Sequence, residues 1–103
     1  TFPNLELLDC SSSKIDKLPE SFKNLDKVKY LSLRSCLFTE FPLEICDMES
    51  LEELDFGLNK IKTIPLELLN CKQLKTINLE YNSISKEEQK ALKKQLKGIK
   101  LIF

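Results

Sequence analysis

LEELDFGLNKIKTIPLELLNCKQL, residues 51–74, holds the pattern from which the rest of the chain can be read. Its apolar positions are Leu51, Leu54, Phe56, Ile61, Ile64, Leu68, Cys71 and Leu74, with Asn59 and Pro65 set between them. Written as L-x-x-L-x-L-x-x-N-x-L-x-x-L-P, the pattern starts at Leu5, Val28, Leu51 and again at Leu74, without insertion. Pro19, Pro42 and Pro65 repeat at the same step of 23 residues. A fixed period of this length is the signature of a repeat architecture and takes precedence over any local reading.

The spacing within one block has a physical reason. An L-x-L pair sends two side chains to one face of a short strand, because strand side chains alternate with period two. The L-x-x-L-P that follows, with its later apolar steps of about three residues, suits a short return of the 3₁₀ type. Strand and return are both one-sided, so one repeat cannot bury its apolar face and must stack on its neighbours. These blocks predict an α/β solenoid, right-handed, with a parallel sheet on its concave face. It has three full repeats and a partial fourth, and residues 1–103 form a single unit.

At the turn out of each strand the second pair of repeats places Asn59 and Asn82, where the first pair has Ser13 and Cys36. A buried amide there can satisfy backbone groups that the turn leaves orphaned, and Ser or Cys does so more weakly.

The pattern stops at Ile84. Ser85-Lys86-Glu87-Glu88 reads as a capping box, with Ser85 as N-cap and Glu88 reaching back to it. A helix is expected from Lys86 to about Lys97, with acids first, lysines last and Gly98 as its stop. Its narrow apolar face of Ala91, Leu92 and Leu96 covers the end of the solenoid. Ile99, Leu101 and Phe103 then alternate inward, with Lys100 and Ile102 outward, as a last strand; residues 85–103 form the carboxyl-terminal cap. At the other end Phe2 falls in register with Leu25, Met48 and Cys71, and no capping element precedes Leu5. The bare first repeat is therefore expected to meet upstream repeats or another copy.

On these motifs, residues 5–84 resemble the leucine-rich repeat family, in its 23-residue class with L-x-x-L-P in the return segment. The ending I-S-K-E-E-Q-K-A-L-K-K-Q-L-K-G-I-K-L-I-F is similar to the helix-plus-strand cap of short bacterial members. The resemblance implies recognition of a protein partner on the concave sheet, with no cofactor and no chemistry of the domain's own.

Composition points the same way. Sixteen basic and sixteen acidic residues cancel, with no basic run to track a phosphate backbone, so nucleic acid is not an expected partner. No apolar run is long enough to span a membrane. The chain has no histidine, which removes Ser-His and Cys-His nucleophile pairs. Of the four cysteines, Cys10, Cys36 and Cys71 take positions of the repeat suited to small buried side chains, and together with Cys46 their spacings make no zinc pattern. Cys10 and Cys36 are expected to lie roughly 10 Å apart along the strand direction, too far for a bridge, at about 3.3 Å per residue. Cys46 and Cys71 are the one pair near enough to leave open. Free thiols favour a reducing, cytoplasmic compartment; a secreted bacterial protein with its signal removed is the alternative.

Outward strand positions define the face open to a partner. One row holds Leu7, Tyr30, Glu53 and Thr76, the next Asp9, Ser32, Asp55 and Asn78, and the third Ser11, Arg34, Gly57 and Glu80, with Leu58 and Tyr81 at the rim. Tyr30, Arg34, Glu53, Asp55 and Tyr81 are the candidate partner-binding residues, the tyrosines and arginine being the types that anchor interfaces. The acids lack the ligand loop of a calcium site. An open sheet also offers no pocket for a catalytic carboxylate pair.

Overall fold

The computed structural model describes residues 6–103, so the expectations placed on Phe2 and Leu5 lie outside the described residues. Five strands form one parallel sheet in chain order: β1 (Leu7–Asp9), β2 (Tyr30–Ser32), β3 (Glu53–Asp55), β4 (Thr76–Asn78) and β5 (Lys100–Ile102). The register keeps the 23-residue step: Leu8 pairs with Leu31, Leu31 with Leu54 and Leu54 with Ile77. Strands of three residues are short, but each is locked to its neighbours by the same inward leucine or isoleucine.

Three 3₁₀ turns, Glu20–Asn24, Leu43–Asp47 and Leu66–Asn70, carry the chain back between strands. Pro19, Pro42 and Pro65 precede them in extended conformation, where a fixed φ costs nothing and the missing N–H is not needed. Between sheet and returns lies a single apolar core. Leu31, Leu33, Phe38, Ile45, Met48, Leu51, Phe56, Ile61, Leu68 and Ile77 are fully shielded from solvent. Phe56 meets Phe38 and Phe41 with ring centroids 5.2 and 5.1 Å apart.

The asparagine positions carry the expected hydrogen bonds. Asn59, buried, donates through Nδ2 to the carbonyls of Leu33 (2.9 Å), Phe56 (3.2 Å) and Gly57 (3.2 Å) and accepts from the Phe38 N–H (3.1 Å). Asn82 repeats this one repeat on, donating to Phe56, Leu79 and Glu80 and accepting from Ile61. Each amide thus ties its own turn to the repeat before it. Cys36 makes the weaker version, with its thiol on the Cys10 carbonyl at 3.4 Å. That contact corrects the roughly 10 Å expected from strand geometry. The chain leaves the strand direction at Ser35, whose φ is +59°, so Cys36 turns back over the first repeat. All four cysteines are free, and burial raises the Cys46 thiol to about 12 and the Cys71 thiol to about 11.

At the carboxyl end, α1 (Lys86–Gln95) starts at Ser85, whose hydroxyl accepts the Glu88 N–H at 3.1 Å. Two expectations are corrected here. The Glu88 carboxylate does not complete the capping box; it accepts from the Thr63 hydroxyl and so ties the helix to the third repeat. The helix also ends at Gln95, two residues short of Lys97, because Leu96 is pulled into the core and the chain must turn through Gly98 (φ +94°) to reach β5. Leu92 and Leu96 are buried, so the cap covers the sheet's last repeat as expected. The first repeat is looser. Leu8, Cys10, Ile15, Phe22 and Leu25 are only partly buried, and its 3₁₀ turn buries no residue.

Candidate partner-binding face

Inward side chains are committed to stacking, and the candidate residues read from the sequence lie toward the outer face of the sheet. Strand pairing places Tyr30 between Leu7 and Glu53, and Ser32 between Asp9 and Asp55. Three of the five candidate residues, Tyr30, Glu53 and Asp55, therefore occupy two adjacent strands, and Arg34 lies in the turn that leaves β2. Tyr81 does not join them: it stands at the turn after β4, 69% exposed. Lys100 pairs with Thr76 and extends the Tyr30 row to the fifth strand.

Part of this face serves the fold. Asp9, Ser32, Asp55 and Asn78 each accept, through a side-chain oxygen, the backbone N–H two residues on, at 2.9, 3.4, 3.0 and 2.9 Å. The row looks solvent-facing in sequence, yet it forms a ladder of side-chain turns that ends β1 to β4 in the same way. For Asp9, hydrogen bonding from the Ser11 side chain first, and then from its backbone N–H, holds the carboxyl below its ordinary value. Each turn then passes through a left-handed residue, Ser12, Ser35, Leu58 and Tyr81, with φ between +55° and +60°. Leu58 and Tyr81 are bulky for that conformation and still exposed.

Asp55 has a second role. Its Oδ1 also accepts from Arg34 Nη1 at 3.2 Å, and the two side chains keep only 21% and 29% of their exposure. The other cross-repeat pairs, Lys29 with Glu6 and Lys75 with Glu52, are more exposed. Arg34 is thus the fixed cation of the face. Tyr30, between Leu7 and Glu53, has its hydroxyl pKa raised, by burial first and then by the charges of Asp55, Asp9 and Glu53. Gly57, which the sequence places in the same outward row as Arg34, is buried against the Arg34 guanidinium, a role the sequence reading did not assign to it. A glycine directly across from a long cation in one outward row was the available signal.

A profile described as Leucine Rich Repeat matches residues 4–25. A leucine-rich repeat protein of Leptospira interrogans superposes with a TM-score of 0.88 at 32% identity, over 98% of this chain and 26% of that one. The chain is a leucine-rich repeat protein. Its sequence is also 30% identical over 102 residues to an adenylate cyclase of Schizosaccharomyces pombe and 38% identical over 77 residues to Receptor-like protein 7 of Arabidopsis thaliana. Those matches cover 97% and 69% of this leucine-rich repeat chain but only 6% and 8% of the relatives. What is shared is the repeat region, a fold that commonly serves as a protein–protein interaction module. Among the described residues, no helix of this leucine-rich repeat protein is long and apolar enough to cross a membrane.

Proposed function

We propose that residues 1–103 act as one non-enzymatic unit that binds a protein partner on the concave sheet face, through Tyr30, Arg34, Glu53, Asp55 and Tyr81. The observation that carries this reading is the Arg34–Asp55 pair, a half-buried charge pair held in one geometry on the same outer face where Tyr30 lies opposite Glu53. Side chains already held in place lose less freedom on association, so more of each contact appears as affinity. Tyr and Arg are also the types in which interface energy concentrates.

The test is a double variant, Arg34→Glu with Tyr30→Ala, applied to a partner isolated on the wild-type protein. Binding is expected to be abolished while the circular dichroism spectrum stays unchanged. Retained affinity would move the site to an edge or to the returns.

A second reading is supported by the loose first repeat. Leu7 is 59% exposed, and Leu8, Phe22 and Leu25 are half-buried. In that reading the unit docks through its amino-terminal face, on another copy or as part of a larger signalling protein. Mass that rises with concentration in light scattering, and falls back when a charge is placed at Leu8 or Phe22, would favour it. A strictly monomeric species would count against docking on another copy.

A further inference from the structure

Gly57 does not have a positive φ, so the backbone does not require glycine there. The space it leaves is occupied by Arg34. A Cβ at position 57 would lie 2.2 Å from Arg34 Nη1 and 2.9 Å from Cζ, far inside van der Waals contact. The absent side chain lets the guanidinium lie against the sheet, over the neighbouring strand. Asp55 then fixes it, and Asp55 is itself held, since the oxygen that takes Arg34 Nη1 at 3.2 Å also takes the Gly57 N–H at 3.0 Å. The result is a cation held close to the Gly57 backbone, with 29% of the arginine side chain still exposed.

A guanidinium in this position can take a carboxylate at its edge or an aromatic ring on its face. The surrounding charge decides between them. The sheet face carries Asp9, Glu53, Asp55 and Glu80 against Arg34 and Lys100. A partner carboxylate would approach against that field, whereas an aromatic ring would not, and cations beside the ring would be drawn in.

We infer that Arg34, Gly57 and Asp55 form an anchor site for an aromatic side chain of a protein partner, carried on a segment with flanking lysines or arginines. In this site Gly57 is a positioning residue. The inference rests on the concave-face reading and adds the chemistry of the partner.

Three acetylated, amidated tripeptides test it by nuclear magnetic resonance titration of the labelled protein: Lys-Trp-Lys, Lys-Ala-Lys and Glu-Trp-Glu. Lys-Trp-Lys is expected to bind about fivefold more tightly than Lys-Ala-Lys, a ratio of cation–π size. The shifts should centre on the Arg34 side-chain N–H and the Gly57 amide, and Glu-Trp-Glu should bind weakest. In Gly57→Ala, with a spectrum still dispersed as in the folded protein, the two lysine peptides should bind equally.

Equal binding of those peptides to the wild type would overturn stacking, and tightest binding of Glu-Trp-Glu would overturn the charge argument. Silence from all three, or shifts confined to α1, would overturn the site. If an isolated partner is nevertheless lost on Arg34→Glu with Tyr30→Ala, only the aromatic anchor falls. A partner indifferent to both substitutions removes the concave face with it.

Discussion

The first and third repeats carry the same pattern and are packed differently. In the third, Leu51, Leu54, Phe56, Ile61 and Leu68 are fully or almost fully buried, and Asn59 makes four hydrogen bonds. In the first, Leu8, Cys10, Ile15 and Phe22, the counterparts of Leu54, Phe56, Ile61 and Leu68, stay partly exposed. Among the described residues the third repeat, stacked between neighbours on both sides, is the more deeply buried, as expected when nearest-neighbour interfaces dominate.

The strongest way to break this contrast is a matched pair of truncations. Phe56→Ala should cost about 3–5 kcal/mol, and Phe22→Ala less than about half of that, in chemical denaturation. Equal losses would mean that the first repeat is as well supported as the third. Next in size, Asn59→Ala should cost about 1–3 kcal/mol, because it orphans the buried Phe38 N–H and leaves the Leu33 carbonyl short of a donor. An unchanged denaturation midpoint would remove the amide from the account of the fold.

The cysteines sharpen the contrast through pH. Burial raises the thiols of Cys46 and Cys71 to about 12 and about 11, against an ordinary value of 9.0. A raised folded pKa stabilises the protein fully below the unfolded value and is lost as pH rises towards the folded one. Stability should hold up to about pH 9 and then decline towards pH 11, and the decline should flatten in the double variant Cys46→Ala, Cys71→Ala. Iodoacetamide at mildly alkaline pH should reach the half-buried Cys10 before either of them.

The smallest effect is expected where the contrast should vanish. Lys29→Ala and Lys75→Ala each remove an exposed ion pair between repeats, one at the loose end and one in the well-packed part. Both should change stability by less than about 0.5 kcal/mol. A large loss from either would show that charge, and not stacking alone, holds the repeats together.

What was legible in the sequence follows from the same physics. Inward columns such as Leu31, Leu54 and Ile77 could be read directly, because a residue in a stack answers to its own period. The 3₁₀ returns after Pro19, Pro42 and Pro65 and the N-cap at Ser85 are local signals and were equally plain. Other features depended on neighbours that only folding supplies. Glu88 was free to close a capping box until Thr63 came within reach. Helix α1 gave up its last turn to bury Leu96. On the candidate face, Tyr30, Arg34, Glu53 and Asp55 were found by alternation, but the structural role of Asp55 and the space at Gly57 were not. Both concern bonds and clearances between strands, which a list of outward residues does not contain.

The left-handed turn at Ser12, Ser35, Leu58 and Tyr81 makes one column of the protein tolerant of exchange. The backbone takes the same conformation there whether the side chain is small, aliphatic or aromatic, so neither size nor polarity decides whether a repeat closes. A designer could diversify these four positions as a library while the core stays untouched. Glycine or asparagine at Leu58 or Tyr81 would also relieve a conformational cost of about 1–2 kcal/mol per residue. Stability could therefore be raised at the very places where new surface chemistry would be installed.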